Sequence, residues 1–191
     1  EEEHDLYYLH YANSVLWPIF HYRIDLASFE TDAFKVYADV NQRIANMAAE
    51  RLLPGDTVWV HDYHFLLMAD CLKRIGWRGP TGFFLHIPFP APEIFRALPE
   101  HQWIARAMCA YDVLGFQSEQ DQRNFAHYLT ESHDAVVHPD GRVEAFGMTT
   151  KIKAYPIGID AEGFREAADS PLAKEAADRI GKFLGGRNLV I

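Results

Sequence analysis

The stretch Phe83-Phe84-Leu85-His86-Ile87-Pro88-Phe89-Pro90 constrains this chain most. An apolar run enters a single histidine, and two prolines then prevent the backbone from continuing as strand or helix. A break of this kind at a strand's carboxyl end sets an imidazole at the mouth of an α/β sheet, where open sheets bind ligands. Two further segments share the layout: Thr57-Val58-Trp59-Val60-His61-Asp62-Tyr63-His64 and Asp112-Val113-Leu114-Gly115-Phe116-Gln117-Ser118. Three apolar strands ending in polar residues predict one site assembled along one sheet edge.

The elements between them fit that plan. Phe34, Tyr37, Val40, Ile44, Met47, Ala48 and Leu52 recur at helical spacing between Thr31 and Leu53, and Pro54-Gly55 closes the helix. A strand over Val58–Val60 is followed by a helix from Phe65 to Arg74. A strand over Gly82–Leu85, a helix over Pro99–Ala110 and a strand over Val113–Phe116 come next. Ser118 reads as the N-cap of a helix reaching Leu129. Strand starts fall roughly 25 to 30 residues apart, the repeat of βαβ units in a parallel sheet. After His133, Val143–Phe146 and Thr150–Tyr155 alternate like an antiparallel or edge pair. Pro156-Ile157-Gly158-Ile159-Asp160 reads as a turn leading away from the domain. A helix over Ala161–Leu184 and a new strand from Leu189 to Ile191 follow. The fold class is therefore α/β, with a Rossmann-like parallel sheet flanked by helices. The expected domains are 1–157 and 158–191, the second only begun. The chain opens without methionine and stops inside the apparent strand Asn188–Ile191, so it reads as a fragment.

Composition narrows the function classes. The chain has 191 residues, 49% of them hydrophobic, and a formal net charge of −9. With no lysine- or arginine-rich run, nucleic acid and acidic membranes are excluded as expected partners. Local donors still suffice for a phosphate ester. Cys71 and Cys109 both lie in apolar helical patterns and read as buried free thiols of a reducing, cytoplasmic setting. No apolar run reaches the roughly 18 residues needed to span a bilayer.

Several residue groups suit sugar chemistry. In His61-Asp62-Tyr63-His64, Asp62 reads either as the N-cap of the next helix or as a carboxylate accepting from sugar hydroxyls. A zinc site there lacks a third ligand motif, so no metal is expected. His86 is either satisfied by a backbone carbonyl or held by the stiff proline loop for catalysis. Tyr8, Tyr11, Asn13, Trp17, His21, Tyr22 and Arg23 surround Leu16-Trp17-Pro18 and combine core packing with sugar- or phosphate-binding groups. Gln117-Ser118 either donates to a ligand or caps a helix. No G-x-G-x-x-G, Walker loop or G-x-S-x-G elbow occurs.

These words, taken in order, resemble the trehalose-6-phosphate synthase family, glycosyltransferase family 20. The resemblance rests on Asn13-Ser14-Val15-Leu16-Trp17-Pro18 with Phe20-His21-Tyr22-Arg23, then on His61-Asp62-Tyr63-His64. It continues through Phe84–Pro90 with Pro92-Glu93-Ile94-Phe95, Leu114-Gly115-Phe116-Gln117 and Tyr155-Pro156-Ile157-Gly158-Ile159. It implies a GT-B type fold of two Rossmann-like domains. The implied reaction transfers glucose from UDP-glucose to glucose 6-phosphate, with retention, giving α,α-trehalose 6-phosphate and UDP, without metal or cofactor. The departing diphosphate would help deprotonate the acceptor hydroxyl, so no protein nucleophile is called for. Asp62 and His86 are the implied catalytic positions, with Tyr8 and Trp17 at the acceptor, Asp62 at its hydroxyls and His86 at the donor sugar. Arg23, His61, His64 and Gln117 stand as supporting candidates, and homo-oligomerisation stays open.

The family's N-terminal segment, with its glycine-rich loop and a phosphate-binding arginine, and its R-x-D-x-x-K-G diphosphate-binding motif are absent from this sequence. Without those cations, charge on the leaving group goes largely unstabilised, so the fragment alone is expected to be inactive and its parent active. Glucosylglycerol-phosphate synthases, pseudo-glycosyltransferases and non-catalytic regulatory subunits share the fold and remain the alternatives.

Overall fold

A computed structural model describes residues 2–187. Its centre is a six-stranded sheet ordered β1-β2-β3-β6-β5-β4. The strands are β1 (Val58–His61), β2 (Thr81–Phe84), β3 (Val113–Phe116), β4 (Val136–Val137), β5 (Arg142–Ala145) and β6 (Met148–Ala154). β1, β2, β3 and β6 run parallel, while β5 is antiparallel to both β4 and β6. The parallel sheet expected from the sequence is thus a mixed one. The cause is local: Phe146 and Gly147 both take positive φ, 54° and 73°, in a two-residue connection that folds the chain straight back on itself. The alternating pair expected after His133 is present, but β6 is no edge strand, because it pairs with β3 on its other side.

The helices are α1 (Glu2–His4), α2 (Trp17–Phe20), α3 (Ala33–Ala49), α4 (Met68–Arg74), α5 (Pro92–Phe95), α6 (His101–Met108), α7 (Glu119–His133), α8 (Ala161–Asp169) and α9 (Pro171–Leu184). A π-helix, Asp5–Leu16, joins α1 to α2. The expected helices before α8 are found with ends moved by a few residues. A 3-10 turn, Tyr63–Phe65, replaces the predicted start of α4. Ser118 caps α7 as its sequence predicts, accepting from the Asp121 amide in a reciprocal box. The single helix expected over Ala161–Leu184 is instead two. Ser170 ends α8 and caps α9 by accepting from the Ala173 amide at 3.2 Å, and Pro171 occupies the first turn of α9.

Strand alternation makes the sheet two-faced. Val60, Phe83, Leu114, Phe116, Val143 and Ile152 are buried in one core with Tyr37, Leu72, Ile104, Met108, Phe125 and Leu129 from the helices. On the opposite face Trp59, His61, Phe84 and Gly115 meet in register, and β6 adds the exposed Lys151 and Lys153. Trp59, Phe84, Val113, Gly115 and Tyr155 line an open groove of about 440 Å³ there. Cys71 and Cys109 are buried free thiols, and burial pushes Cys109 up to about 12. Among the described residues no helix is long and apolar enough to cross a membrane.

Contacts divide the chain into two compact units, Glu1–Pro156 and Ile157–Ile191. The first holds the sheet and α1 to α7. The second contributes α8, capped by Asp160 through the Gly163 amide at 2.9 Å, and α9. The strand predicted from Leu189 to Ile191 lies outside the described residues.

Candidate active site

Three segments converge at the carboxyl ends of β1 and β2: the π-helix, the turn after β1 and the proline loop after β2. Asp62 sits where β1 ends, with φ 69° and ψ 167°, a conformation that side-chain-bearing residues adopt at a cost of order 1–3 kcal/mol. Its carboxylate offsets that cost locally. Asp62 Oδ1 accepts from the Tyr63 amide at 3.0 Å and from the His86 amide at 3.3 Å. One oxygen therefore caps the 3-10 turn and ties the β2 loop to it. Both sequence readings of Asp62 are compatible with this geometry, because Oδ2 takes no part in these bonds and can accept from a hydroxyl.

His86 is exposed, and its ring is not satisfied by a backbone carbonyl. Its Nε2 lies 2.9 Å from His61 Nδ1. The two rings meet edge to edge through these nitrogens, with centroids 5.2 Å apart and planes 28° from parallel. His64 takes a different place. Its ring packs on Tyr63 at 4.2 Å and lies nearly parallel to Tyr8 at 5.5 Å. Burial pulls its pKa below the usual 6.5, against the opposing pull of the Asp62 charge. Its Nε2 is buried without a hydrogen-bond partner. His64 is a neutral platform under Tyr8.

The π-helix explains how Tyr8 and Trp17 come to one side. A π-helix turns once in roughly 4.4 residues, so positions nine apart return to one face. In an α-helix the same two positions would point in opposite directions. The wide turn is seen in the Trp17 amide, which donates to the Ala12 carbonyl five residues back, and in Ser14 Oγ, which donates to Leu9 O at 2.7 Å. Tyr11, Ala12, Val15 and Leu16 are buried, while Tyr8 and Trp17 stay 41% and 40% exposed. Trp17 stacks on His21 at 4.0 Å, and His21 Nδ1 lies 2.7 Å from the Trp17 carbonyl. Tyr63 joins this helix to the site by donating to Asn13 Oδ1 at 3.0 Å, and Tyr7 donates to the His64 carbonyl at 3.1 Å.

Other sequence candidates stand further out. Arg23 forms an exposed two-pronged pair with Asp25, both contacts at 2.8 Å. Gln117 is half-buried directly after β3, and the capping bonds at that point are made by Ser118 and Asp121.

Sequence reasoning missed Asp121 and Asn124, which fix the proline loop, and placed Tyr22 only in the cluster around Trp17. Buried Asp121 accepts from the Phe89 amide at 2.9 Å, and buried Asn124 donates to the Phe89 carbonyl at 2.8 Å. Tyr22 reaches the same loop from below: its hydroxyl accepts from the Ala91 amide at 2.8 Å and from Asn124 at 3.3 Å. The one available signal was Asp121 itself, placed three residues after Ser118 where a capping box needs an acid.

The family model described as glycosyltransferase family 20 matches residues 1–191. The chain belongs to glycosyltransferase family 20. The trehalose-6-phosphate synthase of Cronobacter sakazakii is 40% identical over 189 residues, which is 99% of this chain and 40% of that protein. Among solved structures, trehalose-6-phosphate from E. coli bound with UDP-2-fluoro glucose superposes with TM-score 0.87 at 38% identity, covering 95% of this chain and 40% of that one. A UDP-forming α,α-trehalose-phosphate synthase from Burkholderia xenovorans in complex with glucose-6-phosphate gives TM-score 0.84 at 36% identity, covering 92% and 40%. This family 20 chain thus spans about two-fifths of the length of its relatives, and its α/β fold is of the GT-B type that they share.

Proposed function

We propose that the protein transfers glucose from UDP-glucose to glucose 6-phosphate with retention, forming α,α-trehalose 6-phosphate and UDP. The observation that carries the reading is the joining of Asp62 to His86. A carboxylate held in a strained turn, with one oxygen committed to the loop that bears an exposed imidazole, is a fixed acceptor beside a fixed ring. Such preorganised polar groups are what glycosyl transfer requires where charge develops. The relatives whose structures hold UDP-2-fluoro glucose and glucose-6-phosphate support the choice of donor and acceptor.

In this reading Tyr8 and Trp17 receive the acceptor, Asp62 Oδ2 accepts from its hydroxyls and His86 meets the donor sugar. His64 supports Tyr8 from below, and Gln117 lines the approach from β3. Arg23 keeps Asp25 as its partner and stays outside the transfer step. The leaving diphosphate takes the acceptor's proton on the same face of the sugar, so no side chain here acts as nucleophile. Residues 1–157 form the acceptor-side domain and 158–191 lead into the donor-side one. Buried free thiols support a cytoplasmic setting, and light scattering on the full-length protein reads whether it self-associates.

The test is the full-length protein with UDP-glucose and glucose 6-phosphate, following UDP release and identifying the product by mass and linkage. Trehalose 6-phosphate from the wild type, lost in folded Asp62→Ala and His86→Ala variants, is the expected result. UDP release with glycerol 3-phosphate alone, or no turnover at all, overturns it.

A further inference from the structure

His61 carries no role in the reading above, yet its ring meets the one that does. His61 Nδ1 and His86 Nε2 are 2.9 Å apart, and the rings lie 28° from parallel. Each ring has a second aromatic neighbour. Trp59 lies over His61 at 4.6 Å, and Phe84 sets its edge against His86 at 4.8 Å. The strand register explains the row: His61 pairs with Phe84 across β1 and β2, and His86 follows two residues later on the same face.

Two imidazoles can share a hydrogen bond only if one nitrogen carries the proton and the other does not. The contact therefore does two things to His86. It selects one of the two ring flips, which would otherwise exchange a nitrogen for a carbon at each position. It also ties the protonation of His86 Nε2 to that of His61, so the tautomer of His86, and hence whether Nδ1 donates or accepts, is set by its neighbour. Nδ1 then remains as the ring nitrogen available to a ligand. The bond lies between exposed groups, where competition with water leaves it little weight in folding. Its consequence is orientation.

We infer that His61 is a positioning residue, fixing the ring flip and tautomer of His86 so that Nδ1 of His86 faces the donor sugar. The inference rests on the proposed transfer reaction for its kinetic consequence and on the paired rings alone for its structural one.

The test uses the full-length protein with His61→Phe, which keeps an aromatic ring but removes its nitrogens, His61→Gln, which keeps a polar group within reach of His86, and His86→Ala. His61→Phe is expected to lower kcat about ten- to a hundred-fold, as misplacement of a reacting-site group does, while KM for the acceptor stays unchanged. His61→Gln is expected to restore most of that loss. In the His86→Ala background, His61→Phe is expected to change nothing, because residues acting through one another are not additive. Nitrogen-15 spectra of labelled histidine provide a readout independent of turnover: one tautomer of His86 in the wild type, a mixture in His61→Phe. A His61→Phe enzyme with wild-type kcat, losses that multiply in the double variant, or unaltered His86 nitrogens each overturn the inference. If the wild type turns over no substrate, the transfer reading fails, and the nitrogen spectra still decide the pairing of the rings.

Discussion

Asp62 is tied to His86 and to the strand end that precedes it: its carboxylate accepts from the His86 amide at 3.3 Å, and its own amide donates to the Phe84 carbonyl at 2.9 Å. Loss of the side chain and loss of its charge should therefore differ. Asp62→Asn keeps an oxygen for the Tyr63 and His86 amides, and its thermal stability should match the wild type. Asp62→Ala removes the cap at a cost of about 1 kcal/mol while retaining the strained φ. Both should lose transfer by roughly ten- to a hundred-fold or more, the worth of a hydrogen bond to a charged group. Melting curves beside UDP-release rates check this, and an Asp62→Asn enzyme of full activity would sink the assignment.

Gly115 is set by the site from behind. A Cβ at this position would meet the Phe84 ring at 2.7 Å and the Tyr155 ring at 3.2 Å. Phe84 in turn rests its ring against His86. Gly115→Ala should cost about 1–3 kcal/mol by overpacking and should raise KM for the donor more than for the acceptor. Urea unfolding and paired KM measurements read both effects.

Much of this was legible in the sequence, for identifiable reasons. His86 stood out because an apolar run leads into it and two prolines follow, and Ser118 because a cap is a local device with a local signature. The π-helix was not legible, since a search at 3.6-residue spacing puts Tyr8 and Trp17 on opposite sides. The proline loop's anchors were hidden for another reason: Asp121 and Asn124 act on Phe89 from 32 and 35 residues away, and no local pattern encodes a contact at that range. The antiparallel pair after His133 was legible from its alternation, but its two-residue connection was not, because at Phe146-Gly147 a phenylalanine takes the positive φ that turn rules assign to Asn, Asp or Gly.

Asp121 offers a direct measure of how far loop rigidity matters. Its carboxylate accepts from the Phe89 amide and from both the amide and hydroxyl of Ser118. Asp121→Ala leaves a buried amide without a partner and ends the capping box. The expected cost is about 2–4 kcal/mol, the unsatisfied donor and the lost cap together. Hydrogen exchange should show the Phe89 amide losing protection in the variant. Unchanged protection would mean that the prolines alone hold the loop.

Acid should destabilise the first unit through its histidines. Burial holds His64, His101 and His133 below the usual 6.5, with Arg96 adding to the effect on the latter two. Because the folded state binds protons less readily than the unfolded one, stability is full above about pH 6.5 and falls as pH drops below it. The sign is opposite to that of a histidine stabilised by a carboxylate. His101 and His133 both contact the Tyr128 hydroxyl, at 2.6 and 3.2 Å, so charging them strains one shared contact. Tm measured from pH 8 to pH 5 should decline on the acid side, and a His64→Gln/His101→Gln/His133→Gln protein should show a flatter profile. A triple variant with the wild-type slope would assign the acid sensitivity to other groups.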